Sequence, residues 1–91
     1  MSEREVAFVQ GSQPTLSGVL VGIMAVGMKD GVPAARLLLR GDCISEVVDL
    51  KVGGVISLCN RGSLELLHIV AGHPGEVLFR HSEGAVPSPR P

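Results

Sequence analysis

A chain of 91 residues has room for one domain and no more. Hydrophobic residues make up 45% of it, yet Phe8 and Phe79 are its only aromatics, with no Trp and no Tyr. Eight basic against nine acidic side chains leave a net charge of −1, so no overall field draws the chain to a polyanion, which argues against a generic DNA coat.

The chain opens Ser2-Glu3-Arg4-Glu5, acidic as well as basic, unlike the basic start of a secretory signal. Residues 1–13 are expected to form an N-terminal arm or an edge strand, and residues 14–83 a single compact β domain. No charge falls between Val6 and Met28, but Gln10, Ser12, Gln13, Pro14, Thr15 and Ser17 interrupt that stretch. Its purely apolar part, residues 19–28, is too short to cross hydrocarbon. No membrane association is expected, and with no targeting segment the expected location is cytoplasmic or otherwise intracellular.

Turn signals then divide the chain finely: Lys29-Asp30-Gly31, Arg40-Gly41-Asp42, Gly53-Gly54, Asn60-Arg61-Gly62 and Gly72-His73-Pro74-Gly75. The apolar segments between them are short, which suits strands better than helices. Residues 16–28 are apolar on both alternating faces, with Val19, Val21 and Ile23 on one and Leu20, Met24 and Val26 on the other, as in a strand buried on both sides. After Asp30-Gly31, Ala35, Leu37 and Leu39 alternate with Arg36 and Arg40, a half-exposed strand. Val48, Leu50 and Val52 alternate with Val47, Asp49 and Lys51, and Ile56 and Leu58 resume the pattern after the two glycines. Residues 64–71 and 76–81 supply two more candidate strands.

Two segments also carry helical signals. Pro33 precedes the run up to Arg40 with Gly41 just past its end, and Ser63 precedes Leu64, Leu67, His68 and Ala71 at helical spacing with Gly72 as a stop. Each would make barely two turns, so strand is the expectation for both. The fold class expected is an all-β small barrel or sandwich of five to six short strands, OB-like or similar, with room for one short helix. Residues 84–91 hold Pro87, Pro89 and Pro91 and no apolar pattern, which reads as an extended, flexible tail.

Catalytic and metal chemistry find little support. His68, His73 and His81 match no standard metal spacing, and Cys43 and Cys59, with 15 residues between them, are expected as two buried reduced thiols because nothing indicates export. Ser, His and Asp are all present, but no G-x-S-x-G elbow occurs. Arg40-Gly41-Asp42 reads as a strand end and turn, and Gly53-Gly54 lacks the Lys and helix start of a phosphate loop. The chain is expected not to be an enzyme and to need no cofactor and no metal.

The phrase Val47-Val48-Asp49-Leu50-Lys51-Val52-Gly53-Gly54-Val55-Ile56-Ser57-Leu58 resembles the segment leading into a late strand of OB-folds. Similar phrases occur in SpoA-type domains of secretion and flagellar rings and in small β-barrel decoration proteins of tailed-phage capsids. The likeness covers about a dozen residues and is to a strand-turn-strand device. It implies, as an alternative, an OB-like subunit of a nucleic-acid-processing complex with weak single-strand binding through Arg36, Arg40 and Arg61. Such binders usually stack bases on exposed aromatics in a basic groove, which this composition does not offer.

Mean hydropathy of +0.37 is high for so small a domain, which buries only about 60–65% of its unfolded surface. Apolar surface is therefore expected to meet a protein partner. The leading expectation is a non-enzymatic assembly module that self-associates, or docks in a larger complex, through apolar strand surfaces. Val21, Ile23, Met24 and Val26 from the first apolar segment and Leu64, Leu66 and Leu67 from the later one are the expected contact residues. An alternating strand at a sheet edge offers a second route, pairing with its copy to give a symmetric dimer or ring.

Overall fold

The computed structural model describes residues 2–72 and 74–83; His73 and the expected tail at 84–91 lie outside the described residues. The protein is all-β. Its strands are β1 (Ser2–Val9), β2 (Thr15–Leu16), β3 (Val19–Lys29), β4 (Val32–Arg40), β5 (Ser45–Lys51), β6 (Val55–Ser57), β7 (Gly62–Val70) and β8 (Glu76–Glu83). Both segments with helical signals are strands, β4 and β7, and no helix occurs among the described residues.

The strands form two antiparallel four-stranded sheets, ordered β1-β8-β7-β6 and β2-β3-β4-β5. Two bent stretches of chain join them. Between β1 and β2, the Gly11 N–H donates to the Ile23 carbonyl at 2.8 Å, the Ile23 N–H to the Ser12 carbonyl at 2.8 Å and the Val21 N–H to the Pro14 carbonyl at 2.7 Å, so residues 11–16 run along β3. Between β5 and β6, the Gly53 N–H donates to the Leu66 carbonyl at 2.8 Å and the Leu66 N–H to the Gly54 carbonyl at 3.0 Å, which carries the chain from β4 onto β7. Residues 2–16 and 45–57 thus act as two long strands that each serve both sheets. The result is a small barrel of six members in which neighbours in space are neighbours in sequence and the first closes on the last. OB-folds, by comparison, run five strands in a Greek key.

The second corner depends on its glycines. Gly53 has φ +94°, and a Cβ on Gly54 would lie 2.7 Å from Leu50 Cδ1 and 3.0 Å from the Lys51 carbonyl oxygen. Only a residue without a side chain lets the strand fold over itself there.

Two β-bulges explain the sequence patterns that looked ambiguous. In β3 the register with β4 slips between Ile23 and Ala25, leaving Met24 as an extra residue. A one-residue insertion into a period of two swaps the faces. Val19, Val21 and Ile23 are buried before the bulge, and Val26 packs against the same core after it. The segment is therefore not a strand buried on both faces; one inward face changes parity halfway. In β7 the register slips between Leu66 and His68, so Leu64, Leu66 and Ile69 face the core with steps of two and then three. Of the four residues at helical spacing, Leu64, Leu67, His68 and Ala71, only Leu64 belongs to the core.

The core draws on both sheets, with Val21, Ile23, Leu37 and Leu39 from one and Leu64, Leu66, Val77 and Phe79 from the other. The two aromatics meet inside it, the Phe8 and Phe79 ring centroids lying 6.4 Å apart at a tilt of 48°, within the usual range for an attractive pair.

The structure corrects the expected free thiols: Cys43 and Cys59 form a disulfide, their Cα atoms 5.7 Å apart. The linear spacing hid this, because the closing fold of the corner strand brings the β4–β5 loop against the β6–β7 turn. At the same end of the barrel Gly62 is buried, and a Cβ there would meet Ser17 Oγ and lie 2.6 Å from the Ser82 carbonyl oxygen. Gly62→Ala is expected to cost about 1–3 kcal/mol through overpacking against backbone that cannot yield. Thermal unfolding followed by far-UV circular dichroism will show it as a lowered midpoint.

Candidate interaction surface

The outer faces of the two sheets differ in how their apolar side chains are grouped. On the β1-β8-β7-β6 sheet, cross-strand rows set Glu3 beside Ser82 and Ser63, and Glu5 beside Arg80 and Glu65. Arg80 Nη1 donates to Glu65 Oε1 at 3.0 Å, and Ser82 Oγ to Glu3 Oε2 at 3.2 Å. Val55, 60% exposed, ends the second of these rows beside Glu65, half-buried Leu78 lies between Ala7 and His68, and exposed Val9 and Val70 flank Glu76 at the far end.

On the β2-β3-β4-β5 sheet the corresponding rows are Leu20–Arg40–Ser45, Gly22–Leu38–Val47 and Ala25–Arg36–Asp49. Gly22 is the floor of the middle row. A Cβ placed on it would lie 3.5 Å from Leu38 Cβ, 3.7 Å from Gln13 Cγ and 3.8 Å from Leu20 Cδ2, so the two half-buried leucines and the stem of Gln13 close over its backbone. Val47 continues the strip at 51% exposure, and Met24, released by the bulge, stands at 47%. The four side chains form an apolar strip across three adjacent strands.

A charged cluster borders the strip. Arg36 Nε donates to Asp49 Oδ1 at 2.9 Å, and Arg36 Nη2 to Oδ2 at 3.4 Å. Lys29 Nζ reaches across β4 to Asp49 Oδ2 at 3.1 Å. The Arg36 hydrogen bonds, followed by that of Lys29, hold the Asp49 carboxyl down at about 2 from an ordinary 3.8, and the same contact raises Arg36. A depressed carboxylate stabilises the fold above its unfolded pKa, so this contribution is complete above about pH 4 and disappears as pH falls toward 2. A carboxyl-carbon NMR titration is expected to place the Asp49 midpoint near 2, and Arg36→Ala should move it up toward the ordinary value. Between Lys29, Arg36 and Asp49 the small residues Ala25, Gly27 and Ala34 leave an open depression of about 230 Å³. It is shallower and smaller than the clefts that enclose small ligands.

Most of the expected contact residues lie elsewhere. Val21, Ile23, Leu64 and Leu66 are sealed in the core at 0–1% exposure and offer a partner no surface. Their apolar excess arises from the two bulges, which let residues of both parities face inward. Val26 is half-buried against the core, and Leu67, the extra residue of the β7 bulge, is half-buried in the other sheet. Only Met24 belongs to the strip. Leu20, Leu38 and Val47 were missed as contact residues, although two of them carry a signal: Leu38 stands between Arg36 and Arg40 on an otherwise polar face, and Val47 shares its face with Asp49 and Lys51.

The three arginines considered for nucleic acid do not make one track. Arg36, in the middle of β4, is engaged by Asp49, Arg40 ends that strand, and Arg61 lies in the β6–β7 turn, its guanidinium over Gly18 and 3.9 Å from Asp42.

One histidine contact emerges that sequence reading did not anticipate. His81, 1% exposed, has its Nε2 3.0 Å from Ser17 Oγ, and Ser17 holds φ +51° in the β2–β3 turn. The His81 Nδ1 is buried without a hydrogen-bond partner, so no carboxylate orients the ring as a nucleophile–base–acid triad requires. The bond ties the β2–β3 turn to β8. Among the described residues, no group of three or more His, Cys, Asp or Glu could hold a metal ion, and no helix is long and apolar enough to cross a membrane. No protein-family model, no curated protein and no solved structure matches the chain.

Proposed function

We infer that the chain is a non-enzymatic assembly module that associates with its own copies through the outer face of the β2-β3-β4-β5 sheet. The observation that carries this reading is the contiguous strip of Leu20, Met24, Leu38 and Val47 on one sheet; on the other sheet the exposed valines Val9, Val55 and Val70 each stand beside a glutamate, Glu76 or Glu65. Fully burying one such side chain is worth about 1.5–3 kcal/mol. The half-covered members of the strip would add part of that each, enough for a reversible contact. The disulfide supports an oxidising setting rather than the intracellular one expected from the sequence. The nucleic-acid reading gains nothing from the geometry, since Phe8 and Phe79 pack on each other and Arg36 is already engaged.

Methyl-resolved NMR across a dilution series tests the surface. The Met24, Leu38 and Val47 methyl signals are expected to shift with concentration while those of Val9 and Val70 stay fixed. Shifts confined to Val9 and Val70, or none anywhere, would remove this face from consideration.

A further inference from the structure

Four strands end the two sheets: β1, β2, β5 and β6. Two of these, β2 and β6, are only two and three residues long. The eight-residue β1 is a guarded edge, since Glu3 and Glu5 stand on its outer side and Arg4 between them is exposed. Charges so placed discourage strands from pairing edge to edge.

The seven-residue β5 carries three charges, Glu46, Asp49 and Lys51. Its Asp49 carboxylate is drawn over the sheet by Lys29 and Arg36, and Lys51 Nζ reaches Asp30 at 3.6 Å in the β3–β4 turn. These two charges lean toward the hairpin and away from the open edge, while Glu46 stands exposed beside Val47. Val47, half-exposed and β-branched, stands at the middle of what remains. Among the described residues this edge takes no strand partner, β4 being paired on the other side.

We propose that β5 pairs antiparallel with β5 of a second copy about a two-fold axis at Val47, joining two four-stranded sheets into one of eight strands. The proposal rests on the assembly reading above and names its partner and edge. Facing residues of an antiparallel pair share a face of the sheet, so the axis must pass through a residue. An axis at Glu46 or at Asp49 sets two carboxylates opposite each other. At Val48 the exposed Val47 falls opposite the carboxylate of Asp49. At Val47 the exposed valine covers its own copy, Ser45 faces Asp49, whose carboxylate stays turned over its own sheet, and Glu46 faces half-buried Val48. The strips of Leu20, Leu38 and Val47 from the two molecules then run into each other without a break.

The test uses the full chain with its native disulfide intact, in Val47→Cys and, as a control, Val55→Cys. Val55 is the more exposed of the two, at 60%, but lies on β6. Directly facing residues in an antiparallel pair have Cα atoms about 4.5–5.5 Å apart, inside the span a disulfide bridges. Mild oxidation should therefore turn most of the Val47→Cys chain into covalent dimer while Val55→Cys stays monomeric on a non-reducing gel. Val47→Arg, which places two like charges at the axis, should lose the dimer with its melting midpoint unchanged at monomer concentrations. If the unsubstituted chain sediments as an oligomer but Val47→Cys links no better than Val55→Cys, or Val47→Arg keeps the dimer, the β5 edge is overturned and the assembly reading survives. An unsubstituted chain that stays monomeric overturns both.

Discussion

Phe79→Ala is expected to lower folding stability by about 3–5 kcal/mol, a large part of what holds a small domain together. Phe79 is fully buried, and its strand β8 lies between β1 and β7. It faces Val6 on one side and Leu66 on the other, with the Phe8 ring beside it. Truncation leaves a void walled by both sheets. Because those walls are hydrogen-bonded strands joined at two corners, they cannot collapse inward to fill it, and the cavity contribution adds to the lost transfer energy. Urea unfolding read by far-UV circular dichroism is the measure, since the chain has no Trp or Tyr to report by fluorescence. A loss below about 1 kcal/mol would mean that Phe79 does not sit where both sheets converge.

Opening the Cys43–Cys59 disulfide is expected to cost about 3 kcal/mol, the loop-closure value for a ring of this size. The bridged residues are 16 apart and enclose β5, the glycine corner and β6. Reduction therefore frees the whole corner strand, whose bend is held otherwise by short backbone contacts to β4 and β7. Cys59 and Asn60 both hold positive φ, 58° and 59°, a conformation that non-glycine residues adopt at a cost. Without the bridge that turn has reason to relax. Unfolding curves with and without reductant, and of the Cys43→Ser, Cys59→Ser double variant, should fall together below the oxidised chain. Coincidence of reduced and oxidised curves would contradict a bridge that constrains the fold.

The all-β class and all six expected strands were legible because turn residues interrupt the chain at short intervals and alternation is clear in β4 and β5. The bulges were not legible. A one-residue insertion leaves no composition signal, and in β3 and β7 it turned a single inward face into an apolar run that read as surplus surface. That is why Val21, Ile23, Leu64 and Leu66 were expected at a contact and lie in the core. The two glycines at 53–54 read as a break between strands, whereas the chain passes through them as a corner that joins the sheets. The disulfide was hidden for the same reason, since the pairing of Cys43 with Cys59 depends on how that corner closes. Leu38 and Val47 show the kind of signal that sequence does carry, an apolar residue out of place on a polar face.

Sedimentation equilibrium on the oxidised, unsubstituted chain, from low to high micromolar concentration, tests self-association most directly. The average mass should rise from that of one chain toward that of two as concentration increases. A single-chain mass held across the whole range would contradict assembly with its own copies.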